Sequence, residues 1–383
     1  MMLSTADIWV TGVYCVFLIA IATWVSRERG GHKKTTEDYF LASRSLPWWA
    51  VGASLIAANI SAEQIIGMSG SAYAIGLGIA TYEWTAAIAL IVMAKYFLPI
   101  FIDKKIYTMP QFLEQRFDHR IKTVLAIFWL AVYVFVNLTS VLYLGALAIQ
   151  AITGINMWYG VIFLAAFSLA YSLYGGLKAV AMTDIIQVVL LIAGGVAVTL
   201  IALNRLGDGE GVISGFMHLW RETPAHFDMI LDKSHPGYVD LPGLSVLVGG
   251  LWIAHFAYWG FNQYITQRAL AAKNLREAQK GVMFASYLKL CIPFFVVLPG
   301  IAAVQLFPGL DKPDQAYPSM MSLLPHGLLG LTFAALIAAI VSSLASMTNS
   351  ISTIFTMDLY RPYLINKNQL TADPDPTHLV KIG

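Results

Sequence analysis

The residues of this sequence that could do chemistry are few, and they sit where polar groups are expensive. Asn59-Ile-Ser-Ala-Glu-Gln64 interrupts an otherwise apolar run, and Gly67 and Gly70 follow it. A helix unwound there frees backbone carbonyls and amides at mid-membrane, which is tolerated only inside protein or beside a cavity. Discontinuous helices of this kind build ion and solute sites, although a kink satisfied by neighbouring helices has the same pattern. Elsewhere Tyr82 and Glu83 interrupt one apolar run, His255, Tyr258, Trp259 and Asn262 another, and Lys289 a third. Gln64, Glu83, His255 and Lys289 offer donors and acceptors with aromatic faces close by. A polyhydroxylated neutral ligand needs such a set, with polar groups for its hydroxyls and a ring for its C–H surface. A buried Glu83–Lys289 pair that merely holds helices together is the structural alternative. Ala339, Ser342 and Ser343 lie at i, i+3 and i+4, on one helical face. Their hydroxyl and carbonyl oxygens suit a small alkali cation, but taken by itself this run reads as a small-residue packing seam. Asp184 is either a station on an ion exit path or an interfacial acid.

The elements that must position these groups are membrane helices. Of the 383 residues 58% are hydrophobic and only 12% charged, about half the charge of an ordinary globular chain. Lys122 and Lys178 bracket 55 residues without an Asp, Glu, Lys or Arg, and Asp314 and Asp358 bracket 43. A helix crosses a bilayer in about 20. Nine spans are predicted, near 7–26, 48–75, 77–101, 123–153, 157–176, 180–204, 243–267, 281–306 and 327–357. They are called spans one to nine. Eighteen of the 24 Lys and Arg fall in one set of connecting segments and four in the other, which makes the first set cytoplasmic and puts the N-terminus outside. Segment 205–242 becomes a long external loop with a short helix. The expected setting is the cell membrane, crossed many times, with the lipid bilayer as a partner.

Other classes are excluded or disfavoured. A net charge of +2 and the lack of a basic cluster interleaved with aromatics give no sign of nucleic-acid binding. Cys15 and Cys291 lie in apolar spans and suggest neither a disulfide framework nor a zinc site. There is no HExxH motif and no G-x-S-x-G elbow, so an enzyme is not expected.

Longer motifs carry a resemblance. Thr36-Glu-Asp-Tyr-Phe-Leu-Ala, Ser45-Leu-Pro-Trp-Trp-Ala through Gln64, Phe135-Val-Asn-Leu-Thr-Ser through Gly145, Tyr174-Gly-Gly-Leu-Lys-Ala through Asp184, and Tyr258-Trp-Gly-Phe-Asn-Gln-Tyr264 with Gln267-Arg268 resemble the solute:sodium symporter family, its sodium/sugar branch most closely. The resemblance runs along essentially the whole chain. It implies an all-α polytopic protein with two inverted five-helix repeats of the LeuT-like kind behind one extra helix. Residues 1–47 then form that helix and a cytoplasmic loop, 48–204 the first repeat, 243–357 the first three helices of the second, and 358–383 a tail or linker. The second repeat is incomplete, so a C-terminally truncated chain is expected.

The resemblance also implies site residues. Sodium, as coupling ion and without any other cofactor, would bind Ala57, Ile60 and Ala339 carbonyls and the Ser342 and Ser343 hydroxyls. A small neutral sugar would meet Gln64, Glu83 and Lys289, with Tyr258 beneath its ring as inner gate and Asn59 and Asn137 supporting that gate. Met68 and Tyr82 would lie on the external side, Trp259 and Ser346 in a second line, and Asp184 on the ion exit. The sequence departs from the family's galactose symporters in having His255 for an Asn and Ala86 for a Ser. The implied activity is sodium-driven sugar symport. Symport of an inositol, amino acid or carboxylate is the alternative, as is a non-transporting binding or sensing fragment.

Overall fold

The computed structural model describes residues 3–26, 35–241, 243–368 and 375–383, and the structural statements below concern these. The chain is built from helices; the one β-bridge joins Leu46 to Ala272. Seven helices are long and apolar enough to cross a bilayer, and Met157–Ala170 is a shorter apolar helix. The nine expected spans map onto these because Glu63–Asp103 holds the outer half of span two together with span three. Gly76 separates the two at φ +77, a conformation that favours glycine, and a Cβ there would strike the His226 backbone.

Span two is interrupted as expected. Its first half, α1 (Trp48–Asn59), ends at Ile60, and the chain resumes as a π-turn, Glu63–Gly67, leading into α2 (Met68–Ile75). A second interruption is not in the sequence reading. Span seven stops at Gly260, Asn262 is extended (φ −80, ψ 121), and the helix restarts as α3 (Gln263–Leu270). Expected as one helix over 243–267, it is two. The breaks fall in spans two and seven, and discontinuous membrane helices of this kind build binding sites.

Helical assignment runs without interruption over α4 (Met157–Leu206), where two spans are expected. Its arms nevertheless fold back. Gly145 brings Leu164 against Ile340, while Asp184 accepts a hydrogen bond from Ser342. A straight helix rising about 1.5 Å per residue would hold Leu164 and Asp184 roughly 30 Å apart. They meet positions two residues apart on span nine, so the chain reverses between them.

Span nine, α6 (Leu328–Ile354), is buried along almost its whole length and continues through a π-turn to Asn368 rather than ending at Met357. Span eight, α5 (Leu275–Leu306), runs parallel to span two. A Cβ on Gly52 would lie 2.6 Å from the Gly281 carbonyl, Asn59 faces Lys289, and Gly300 abuts Ser69. Glycine at both ends of this contact lets the backbones approach closely and brings Lys289 to the break. Segment 205–242 carries the expected helix, Val212–Glu222.

Span one is pinned to span nine. The Asp7 carboxylate accepts from Gly327 N (2.7 Å) and Gly330 N (2.8 Å), which lie at the start of the ninth helix, and from both Ser4 donors. It is fully buried. An acceptor at a helix N-terminus satisfies amides that have no partner within the helix. Asp7→Ala is expected to destabilise the fold by about 1–2 kcal/mol, and Asp7→Asn by less. Thermal unfolding in detergent checks this, and an unchanged midpoint for the alanine variant would remove the cap from the account.

Candidate functional site

The break in span two frees oxygen atoms. Ile60 N makes the last ordinary helical bond, to Ile56 O (2.7 Å), and Ser61 N turns to Asn59 O (2.9 Å) instead of to Ala57 O. Ser343 Oγ donates to Ala58 O at 3.3 Å, which sets span nine against the break. Ala57, Ile60, Ala339, Ser342 and Ser343 are all fully buried there. The proton of Ser342 goes to Asp184, whose other oxygen accepts from Ser54 (2.6 Å). With both hydroxyl protons directed away, the serines keep lone pairs for a cation.

A cavity of about 430 Å³ opens beside the break. Asn59, Glu63, Gln64 and Met68 of span two line it, with Tyr82, Glu83 and Ala86 of span three, His255, Tyr258 and Trp259 of span seven, and Lys289 of span eight. Its volume suits a small organic ligand. Lys289 Nζ donates to both Glu83 oxygens (2.8 and 2.7 Å) and to Asn59 Oδ1, so all three ammonium protons are engaged. The ammonium also lies 5.0 Å from the Trp259 ring centroid, within cation–π range. The Glu83–Lys289 ion pair and the cavity wall are therefore the same residues.

His255 and Tyr258, one helical turn apart, both line the cavity. The Thr85 hydroxyl gives its proton to Thr81 O (2.5 Å), so its 2.7 Å contact with His255 Nε2 needs the hydrogen on Nε2. A neutral imidazole then has only Nδ1 left, as an acceptor. An Asn in its place could both donate and accept.

The cavity floor connects to the second break. Asn59 Nδ2 donates to Tyr258 Oη (3.1 Å), and Tyr258 and Tyr264 share a 2.5 Å hydroxyl contact. Tyr133 Oη donates to Asn262 Oδ1 (2.6 Å) and accepts from Gln263 N (2.9 Å), satisfying an amide that the break exposes. From the sequence, Phe128, Trp129, Tyr133 and Phe135 of span four read as a lipid-facing or packing surface. Phe128 and Phe135 are exposed, but Tyr133 is fully buried.

Of the residues expected at the sugar, Asn137 and Ser346 lie outside the cavity, and so does the expected ion-exit residue Asp184. The side-chain oxygen of Asn137 is buried without a hydrogen-bond partner. Ser346 accepts from Arg268 and donates to Ser342 O (2.7 Å). Asp184 is fully buried and pairs with Arg268 at 3.4 Å. Arg268 also donates to Ser54 Oγ (2.8 Å) and to Tyr264 O. The sequence reading counted Arg268 among cytoplasmic loop charges, yet it is only 1% exposed. Glu63 was passed over as well, although it stands in the quoted motif next to Gln64. Among the described residues, no group of three or more His, Cys, Asp or Glu side chains is placed to hold a metal ion.

Comparison with known proteins agrees with this arrangement. The model of the Sodium:solute symporter family matches residues 39–372. A sodium/glucose cotransporter of Vibrio parahaemolyticus is 56% identical over 100% of this chain and 72% of its own length. Sodium/glucose cotransporter 4 of Danio rerio is 34% identical over 94% of this chain and 58% of its own, and sodium/myo-inositol cotransporter 2 of Sus scrofa is 35% identical over 94% and 57%. The chain thus spans under three fifths of the two animal relatives. Among solved structures, a Na+-coupled sialic acid symporter in a substrate-bound outward-open state aligns with a TM-score of 0.85 at 24% identity, covering 99% of this chain and 78% of that one. The fold is that of the LeuT-like transporters. This multi-pass membrane protein belongs to the sodium:solute symporter family.

Proposed function

We propose that the protein carries out sodium-driven symport of a neutral sugar across the cell membrane by alternating access, with its N-terminus outside. Residues 48–204 act as the first repeat and 243–357 as the start of the second. The observation that carries this reading is that one broken helix serves both ligands. Its Ala58 carbonyl accepts from Ser343, and the same stretch of chain sends Asn59 and Gln64 into the cavity. Sodium held by Ala57, Ile60, Ala339 and the two serines fixes the shape of the break, and that shape sets where Asn59 and Gln64 stand. Each ligand then favours the state that binds the other, which is the coupling symport needs. Glu83, Lys289 and His255 meet the hydroxyls, Trp259 and Tyr258 offer ring faces, and Met68 and Tyr82 border the outer side. Tyr258, tied to Asn59 and Tyr264, closes the inner side, and Asp184 lies on the route by which sodium leaves. The names of the relatives support sugar as the solute, with a cyclic polyol as the nearest rival.

The test is labelled galactose, glucose and myo-inositol uptake by the intact protein in proteoliposomes, with and without a sodium gradient. Ser343→Ala removes one oxygen ligand, worth about 1 kcal/mol. The sodium needed for half-maximal uptake is expected to rise roughly five-fold. An unchanged sodium titration in a well-folded variant would remove the site assignment, and sodium-independent uptake by the wild type would remove the coupling.

A further inference from the structure

The charges on the cavity wall do not balance. Its charged or titratable residues include Glu63, Glu83, His255 and Lys289. Lys289 binds both oxygens of Glu83, so these two cancel. Glu63 is the first residue of the outer half-helix, and its own amide donates to Ser61 Oγ (3.2 Å). Its carboxylate forms no ion pair among the described residues. The fixed charge presented to a solute is then that of Glu63.

Resting on the symport reading above, we propose that Glu63 is a specificity-determining residue of this cavity, and that its uncompensated carboxylate selects neutral sugars and rejects sugar acids. A hydroxyl can donate to a carboxylate, whereas a second carboxylate meets only repulsion. Two like charges about 8 Å apart, at an effective dielectric of about 20, disfavour binding roughly 30-fold. A uronic acid is the natural probe because it places a carboxylate where a hexose carries its CH₂OH group, with the ring otherwise retained.

The experiment is competition against sodium-dependent labelled galactose binding in the intact protein. It is run at fixed saturating sodium and at pH 8, where an ordinary imidazole is uncharged. The competitors are D-glucuronate and its uncharged analogue D-glucuronamide, which differ in charge far more than in size. Wild type is expected to bind the amide at least 10-fold more tightly. Glu63→Gln should shrink that ratio about 10-fold, and Glu63→Asp, which keeps the charge, should preserve it. An equal affinity of wild type for the two competitors overturns the proposal without any variant. So does a ratio that survives Glu63→Gln while galactose still binds, because Glu63 is then only part of the cavity wall. If the wild type binds no galactose, the sugar reading itself fails and this proposal fails with it.

Discussion

Lys289→Met is expected to be among the most damaging single changes in the molecule. It leaves the Glu83 carboxylate buried with neither of its Lys289 hydrogen bonds and strips Asn59 of the donor on its oxygen. Breaking a buried ion pair from one side costs about 3–5 kcal/mol, because the remaining charge has lost its compensation. The loss spreads to the floor, since Asn59 also holds Tyr258. Glu83→Gln added to Lys289→Met removes the stranded charge, and most of the stability should return. Sugar uptake should not, because both hydroxyl-binding groups are altered. Thermal unfolding in detergent and uptake in proteoliposomes, measured on the single and double variants, separate the two roles. A single variant as stable as wild type would mean that the pair is solvated and that the cavity wall is misread. A double variant that transports at the wild-type rate would remove Glu83 and Lys289 from sugar recognition while leaving their structural role intact.

The pattern of success in reading the sequence follows from what a one-dimensional pattern can carry. The break at Ile60 was legible because Asn59, Glu63 and Gln64 are polar in a run that must cross lipid, and a membrane makes each such residue conspicuous. The break at Asn262 was not. It follows His255, Tyr258 and Trp259, so Asn262 and Gln263 read as more of the same cavity lining. The signal that could have found it was position, because Gly260-Phe-Asn-Gln263 stands in span seven, where the expected second repeat begins, as Asn59 to Gln64 stands in span two, where the expected first repeat begins. Tyr133 was lost for a related reason. Its partner is an amide exposed by that second break, so nothing in its own helix separates it from Phe128 and Phe135. Arg268 shows the limit most plainly. Charge counting places an arginine in a loop unless something compensates it, and its compensating carboxylate, Asp184, comes from a helix 84 residues away in sequence.

That distant pair gives the second large effect. Arg268→Met is expected to cost about 3–5 kcal/mol, because Asp184 is fully buried and loses its only cation among the described residues. Ser54 and Ser346 lose their guanidinium donors at the same time. Adding Asp184→Asn should recover most of the stability, since the amide is neutral and can still bond Ser54 and Ser342. The same cycle tests why the serines are suited to sodium. At the proposed sodium site, Ser342 would present lone pairs to the ion because its proton is committed to Asp184. In Arg268→Met/Asp184→Asn an acceptor remains, so the sodium needed for half-maximal uptake should stay within about 3-fold of wild type. In Arg268→Met/Asp184→Val that acceptor is gone and the Ser342 proton is free to point at the ion. Loss of roughly 1 kcal/mol of contact raises the sodium requirement about five-fold, and the sugar affinity at saturating sodium should change little. If the Asn and Val doubles, both folded, give the same sodium titration, Asp184 does not orient Ser342, and its contribution is confined to pairing the arginine that ties the restarted helix after Gly260 to span nine.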